Sequence, residues 1–475
     1  MFAFLWAAAV MFHLASRPAE VFGRWGPLVW VPALWVMFRP GSLRAFVALL
    51  VGQSAQVWLH GFARVSNHWF FVTFVNVTIL TALAGLVLAR RWRGSTDDLQ
   101  SSLFQAFGPV VRLELLLMYG FSTLHKLNSD FFNPALSCGT SHYGQIAAHL
   151  PVLPTGDWLA WPLILGTVAV EGGIPLLLLF GRTRLYGLLL GWAFHFVLGA
   201  GAPFLFFNFS AMVYAVYFLF APFDFWTALT PDRFRSAVGQ RAVRFVRGAV
   251  LRRTLQGAVL TLGVFMAAAY LLDKGIHTGP QRALLYSVGR WSFVAYALGL
   301  IAVFLAVTRT SAVFAATRGL TSLLPRPAFM ALFPVLLLFN GLNPYLGLKT
   351  QSAFAMYSNL RTEGGESNHF LLPVAMQIAP HQRDAVQVVA SSDLALSRVA
   401  KGGLHITYFE LRRMTSSAAR ERPDASVTFV RNGETRTVPR IADDSELVRG
   451  PSRLLGKLLY FRPFDPPGVS TPCRH

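Results

Sequence analysis

Residues 119–134 read YGFSTLHKLNSDFFNP. They close an apolar run, Phe104–Leu124, and then present His125, Lys126 and Asp130 in quick succession. The reading of Lys126 governs both fold and function. If the run crosses a membrane, a lysine at its end is either partly desolvated or anchored at the surface. Partial desolvation lowers a lysine pKa, and a neutral amine can take a proton. The surface alternative lays the aliphatic stem along apolar surface and keeps the ammonium in water.

Composition points to a membrane. Of the 475 residues, 54% are hydrophobic and 13% charged, whereas soluble domains carry about 25% charged residues. The net charge of +20 raises nucleic acid as a partner. The arginines, however, fall in short clusters between apolar runs, the distribution of topogenic charge that faces cytoplasm and anionic lipid. No nucleic-acid partner is expected; membrane lipid is. Two cysteines are too few for a disulfide scaffold or a cysteine-rich metal site. The chain has no HExxH, GxSxG or Walker motif, and no metal is expected.

Runs of roughly 17–25 apolar residues suit a bilayer. They occur at Leu43–Phe62, Trp69–Ala89, Phe104–Leu124, Trp158–Phe180, Leu185–Gly201, Pro203–Ala221, Thr254–Leu272, Trp291–Thr308 and Pro327–Leu342. Two weaker runs precede them, Phe2–Ala15 and Pro27–Phe38. The first lacks the basic flank of a secretory signal and reads as a short or tilted span. Basic loops follow alternate runs: Arg90-Arg91-Trp92-Arg93, the turn with Arg182 and Arg184, seven arginines between Phe223 and Arg253, and Arg309, Arg318 and Arg326. If these face the cytoplasm, the Lys126–Asp157 loop and everything after Leu342 lie outside.

The tail changes character. Val386–Ala390, His405–Leu411 and Lys457–Phe461 have strand-like composition. Val427–Val430, Asn432-Gly433 and Thr435–Val438 form a hairpin signature, because Asn-Gly suits the two positive-φ positions of a type I′ turn. The expected fold is mainly α: a polytopic transmembrane helix bundle of about 9–11 spans over residues 1–343. A C-terminal β-rich extracytoplasmic domain follows over residues 344–475. The expected location is the cell (inner) membrane.

Ionisable groups inside spans are costly and usually face the bundle interior. Arg112 and Glu114 lie in the run that ends near Lys126, Glu171 in the next, and His195 in the one after. At 1.5 Å per residue, Glu114, Glu171 and His195 fall at a common depth of roughly 14–16 Å, with Lys126 higher. Each has a plainer reading. Glu114 or Glu171 would pair with Arg112, and His195 would be an interhelical hydrogen-bonding residue. His125 points about 100° away from Lys126 on a helix. Asp130 is the i+4 neighbour of Lys126 and would stabilise its charged form. Cys138 and Cys473 both fall outside by this topology, so they form either a disulfide or two free thiols. Asn67-His68-Trp69 reads as an interfacial belt rather than a ligand set. The polar stretch from Asn343 to His369 sits over the bundle mouth, as a lid or as a connector to the tail.

FSTLHKLNSDFF, residues 121–132, resembles the lysine-bearing segment of the vitamin K-dependent γ-carboxylase-like membrane proteins, the HTTM (horizontally transferred transmembrane) domain. Lys126, Leu127, Asp130 and Phe131 match its pattern. Glu171 with the following PLLLLFGRTRLYGLLLGWAFHF is similar to the family's next landmark, an acidic helix, an Arg-bearing turn and an in-membrane His. The resemblance covers about Phe4 to Arg326. Ser122-Thr123 stand where the family tends to have Ala-Gly, and His125 precedes the lysine.

In the family's characterised enzyme the matching lysine deprotonates a reduced naphthoquinone. Oxygenation of that quinol yields a strong base, which removes a γ-proton from protein glutamate so that CO2 adds. The resemblance therefore implies a quinol-dependent, carboxylase-like lyase with a reduced, vitamin K-like quinone as cofactor. Its substrate would be a lipid or a secreted protein or peptide. Lys126, His195 and Glu171 would be catalytic, with Glu114, Arg112, His125 and Asp130 about the pocket. The alternative is a non-enzymatic membrane anchor or assembly protein displaying its β domain, which predicts a bundle without an internal cavity. A transporter is disfavoured, since matching halves with Gly/Pro-broken helices are not evident.

Overall fold

The computed structural model describes residues 1–17, 23–61, 65–93, 98–201, 206–221, 240, 244, 248–272, 280–308 and 323–473. The apolar runs form helices, since only intrasegment hydrogen bonds satisfy the backbone of a chain surrounded by lipid. In order these are α1 (Phe2–Ser16), α2 (Pro27–Phe38), α3 (Leu43–Gly61), α4 (Asn67–Arg93) and α5 (Leu99–Leu124). They continue as α6 (Cys138–His149), α7 (Ala160–Leu179), α8 (Arg184–Gly201), α9 (Phe206–Tyr217), α10 (Ala249–Leu272), α11 (Pro280–Thr308) and α12 (Leu332–Leu346). Among the described residues, five helices are long and apolar enough to cross a membrane: Asn67–Trp92, Leu99–Leu124, Asp157–Leu179, Ala283–Leu305 and Ala328–Leu346. This is compatible with a multi-pass membrane protein. The expected basic loop with Arg233, Arg235, Arg241 and Arg247, and the loop with Arg309 and Arg318, lie outside the described residues, as do residues 203–205 of one expected span.

One continuous apolar core joins α1 to α5 with α7 to α12. At its centre α5 packs against α4, α7 and α12. Its start is fixed by Asp98, whose side chain accepts from the Ser101 N–H at 2.8 Å. Close approach to α12 depends on Gly341, where any Cβ would collide with the Phe121 ring. Helix α6 is an addition to the expected fold. It occupies the loop after Lys126, with Ser137 accepting from Gly139 N at 3.2 Å as its cap.

The tail holds a four-stranded antiparallel sheet of order β2-β1-β3-β4, formed by β1 (Ala385–Ser391), β2 (His405–Thr407), β3 (Val427–Arg431) and β4 (Glu434–Val438). The hairpin forms at the expected place, with φ of 53° at Asn432 and 81° at Gly433. Two expected strands are corrected. After Thr407 the chain turns into α14 (Tyr408–Glu421), because the Thr407 hydroxyl caps the Glu410 N–H at 3.2 Å. The expected strand Lys457–Phe461 is absent: its first two residues end the short helix α16 (Arg453–Leu458), capped by Ser452, and residues 459–461 are neither helix nor strand. With α13 (Leu394–Lys401) and α15 (Ser445–Arg449) these helices make the tail a mixed α/β unit with its own core. A β-rich description overstates the sheet.

The tail docks on the end of the bundle at which α5 and α12 finish. Ser129 N donates to Asn368 O at 3.0 Å, Phe370 N to Leu127 O at 3.0 Å, and Ile378 N to Leu346 O at 3.1 Å. A disulfide between Cys138 and Cys473 fastens the same seam.

Candidate functional site

Helix α5 presents Tyr119, Ser122 and Lys126 at i, i+3 and i+7, one face of a helix. Although α5 ends at Leu124, Lys126 N still donates to Thr123 O at 3.0 Å, so one further turn keeps that face aligned. The Lys126 ammonium lies 2.6 Å from Glu171 Oε2 on α7, and also donates to Ser122 O at 3.1 Å and Ser122 Oγ at 3.2 Å. Ser122 Oγ in turn donates to the same Glu171 oxygen at 2.8 Å. The two charged side chains are only 4% and 13% exposed. Two donors, the ammonium and the Ser122 hydroxyl, thus form a closed knot with one carboxylate and one carbonyl, the arrangement a buried ion pair needs to offset its desolvation. The Lys126 and Glu171 side chains thus meet, although helix positions alone placed Lys126 higher.

A second polar chain adjoins it. The buried Tyr119 hydroxyl bonds His195 Nε2 and stands 2.5 Å from the Tyr217 hydroxyl, while His195 Nδ1 contacts Ser210 Oγ at 3.3 Å. Lys126, Glu171, Tyr119, Ser122 and His195 all line one cavity of about 430 Å³. Val197, 56% exposed on α8, also lines it, so the wall reaches the outer face of the bundle.

The tail supplies part of the wall: Phe354, Met356 and Tyr357 reach the cavity from the connector after α12. Ser352, Phe354, Tyr357 and Asn359 all have φ between 53° and 64°, a region sparsely used by side-chain-bearing residues that costs about 1–3 kcal/mol each. Hydrogen bonds to the bundle hold the conformation. Phe354 N donates to Asn67 Oδ1 at 2.6 Å and Ser352 Oγ to Val65 O at 2.6 Å. The Asn343–His369 stretch therefore covers the cavity as well as connecting to the tail.

The four residues expected about the pocket lie off this cavity. Arg112 shares the face of Tyr119 but lies two turns before it, where its Nε donates to Leu219 O at 2.6 Å, and Glu114, on another face of α5, accepts at Oε1 from Thr78 at 2.7 Å. Glu114 has Thr78, and Glu171 has Lys126 and Ser122, in place of the Arg112 partner considered from sequence. His125 turns away from Lys126, its ring bonding the Tyr345 hydroxyl at 2.7 Å and Ala353 O at 3.0 Å. Burial pushes its imidazole down to about 3, so it serves the seam as a neutral group.

Asp130 also faces the tail, accepting from Asn368 Nδ2 at 3.0 Å and Thr471 N at 2.9 Å. The carboxylate beside Lys126 is Glu171. Asp130→Asn places an amide where two donors converge. We expect it to weaken docking of the tail by about 1.5–3 kcal/mol, read as faster proteolysis of the tail in the intact chain.

Among the described residues, no group of three or more His, Cys, Asp or Glu side chains could hold a metal ion. His68, expected as part of an interfacial belt, lines the cavity, with Nε2 3.1 Å from His13 Nδ1. No protein-family model matches the chain, and no curated protein and no solved structure matches it. The site has to be read from its own atoms.

The cavity is large enough for a small, largely apolar molecule. Its volume falls in the usual range of small-molecule sites, roughly 300–1,000 Å³. Phe131, Phe194, Phe209 and Tyr357 give it aromatic walls, and its charged lining residues are the Lys126–Glu171 pair and Arg17.

Proposed function

We propose that the chain is a multi-pass membrane enzyme of the γ-carboxylase-like class, in which the Lys126–Glu171 pair takes a proton from a reduced quinone. The observation that carries this reading is the 2.6 Å pair on the wall of an aromatic cavity. Movement of the shared proton from Lys126 Nζ onto Glu171 Oε2 leaves a neutral amine, still held by Ser122, facing the cavity. That amine accepts a hydroxyl proton, and the ammonium formed lies beside the new oxyanion, which it stabilises in a water-poor setting. Tyr119, bonded to His195 and Tyr217, offers a fixed hydroxyl for the orientation of a bound ring. Bound here, a naphthoquinol would supply the acidic hydroxyl and reducing power toward oxygen.

The basic loops in the sequence favour an orientation with the cavity and tail on the extracytoplasmic side of an inner membrane. A lipid, secreted protein or secreted peptide would be the acceptor on that side. The anchor reading predicts a solid bundle, and the cavity speaks for the enzyme.

The test is quinone co-purification and quinol oxidation by wild-type and Lys126→Ala protein in lipid nanodiscs. Wild type should retain a naphthoquinone and oxidise the added quinol, and Lys126→Ala should lose about 10²–10⁴-fold in rate, the usual contribution of a general base. An unchanged rate in a folded Lys126→Ala protein removes Lys126 from the chemistry.

A further inference from the structure

We propose that the tail carries a lipid-facing collar, formed by Phe370–Ile378 and by α16, which rests in the boundary layer of one bilayer leaflet beside the bundle. This rests on the membrane reading above. It adds that the tail is a membrane-contacting element rather than a domain held clear in water.

The first observation is an inverted surface. Leu371 and Ile378 are 67% and 78% exposed, and Phe370 and Met376 are exposed beside them. Gln377, between the outward Met376 and Ile378, is buried and donates to Thr362 O at 2.6 Å. Polar side chains inward and large apolar ones outward reverse the arrangement expected of a surface facing water. It is the arrangement expected where the medium outside is hydrocarbon.

The second observation is position. Phe370 N is bonded to Leu127 O, just beyond the end of α5, and Ile378 N to Leu346 O, the last residue of α12. Both of these helices are among the five long and apolar enough to cross a membrane. The segment is thereby fixed at the level where two spans finish.

The third observation is a matching element elsewhere on the rim. In α16, Leu454 and Leu458 are exposed, with Leu454 at 63%. Lys457 Nζ stands 4.2 Å over the ring of Trp58, itself exposed in the last turns of α3. Arg453 and Lys457, four residues apart, are exposed beside the leucines. Apolar side chains flanked by basic ones, next to an exposed tryptophan, are the chemistry of the acyl-chain and headgroup boundary.

The experiment uses the full chain in vesicles of phosphatidylcholine and phosphatidylglycerol. The two native cysteines are joined to each other, so a fluorophore is placed on Leu371→Cys, Ile378→Cys or Leu454→Cys. Leu336→Cys on the exposed face of α12 is the lipid reference, and Glu434→Cys on the hairpin is the water reference. Emission is read with a quencher tethered to lipid and with aqueous iodide. The three collar positions should lose emission to the lipid-borne quencher as Leu336 does, and resist iodide. Iodide quenching at the level of Glu434 overturns the collar, as does protection from both quenchers, which marks a protein partner on that face. Failure of the Leu336 reference itself to meet the lipid quencher overturns the membrane reading, and the collar with it.

Discussion

Glu171→Leu is expected to destabilise the chain by about 3–5 kcal/mol, the usual penalty for removing one partner of a buried ion pair, and to abolish the proposed quinol oxidation. The physical reason is the Lys126 ammonium, which is 4% exposed and loses the one carboxylate that lies within 4 Å of it among the described residues. Ser122 remains but offers dipoles, not charge. Lys126→Met combined with Glu171→Leu removes both charges and replaces them with side chains of similar bulk. The double variant should recover most of the stability, measured by thermal unfolding in detergent, because an apolar pair avoids the desolvation cost altogether. Activity should not return in either variant. A double variant as unstable as Glu171→Leu alone would show that the lost stability comes from packing of α7, not from the stranded charge.

Removal of the Cys138–Cys473 disulfide is expected to have the next largest effect. It joins residues 335 positions apart, and bridges across long loops contribute about 2–5 kcal/mol. Cys138 lines the cavity, and Cys473 packs against the buried cluster of Phe131, Cys138 and Ile164, of which Phe131 lines it too. Asn359 completes the clasp, accepting from Cys138 N at 2.9 Å and donating to Thr471 O at 3.0 Å. Cys138→Ala with Cys473→Ala, or treatment with a reductant, should lower the melting temperature and weaken quinone retention together. Loss of stability with unchanged retention would mean that the clasp braces the tail and leaves the cavity wall alone.

Much of this arrangement was legible in the chain, and the exceptions have physical causes. The apolar runs mark their helices closely, as at Pro27–Phe38, because a lipid-facing helix must be apolar along its whole length. The Asn432-Gly433 turn was legible because few residues tolerate its backbone. His405–Leu411 misled because strand composition is overridden locally by one capping hydroxyl at Thr407. Lys126, Glu171 and His195 were found as ionisable groups in or beside apolar runs. The same signal picked out Arg112 and Glu114, which bond Leu219 O and Thr78 away from the cavity, since charge in a span says that a partner exists without saying which. Tyr119 and Ser122 were within reach through their helical spacing from Lys126. Phe354, Met356 and Tyr357 were not, because their place in the wall depends on a tail more than 200 residues beyond Lys126 in sequence.

That distance along the chain sets an order of events during synthesis. The ribosome makes the Lys126–Glu171 pair early, and the three connector residues and Cys473 only after α12. Until those arrive, the nascent bundle holds the charged pair in a half-built chamber, open where the connector will lie. Folding of the tail is thus also the step that completes the cavity wall. A chain stalled or cleaved between α12 and residue 473 would carry the charged pair without its full enclosure.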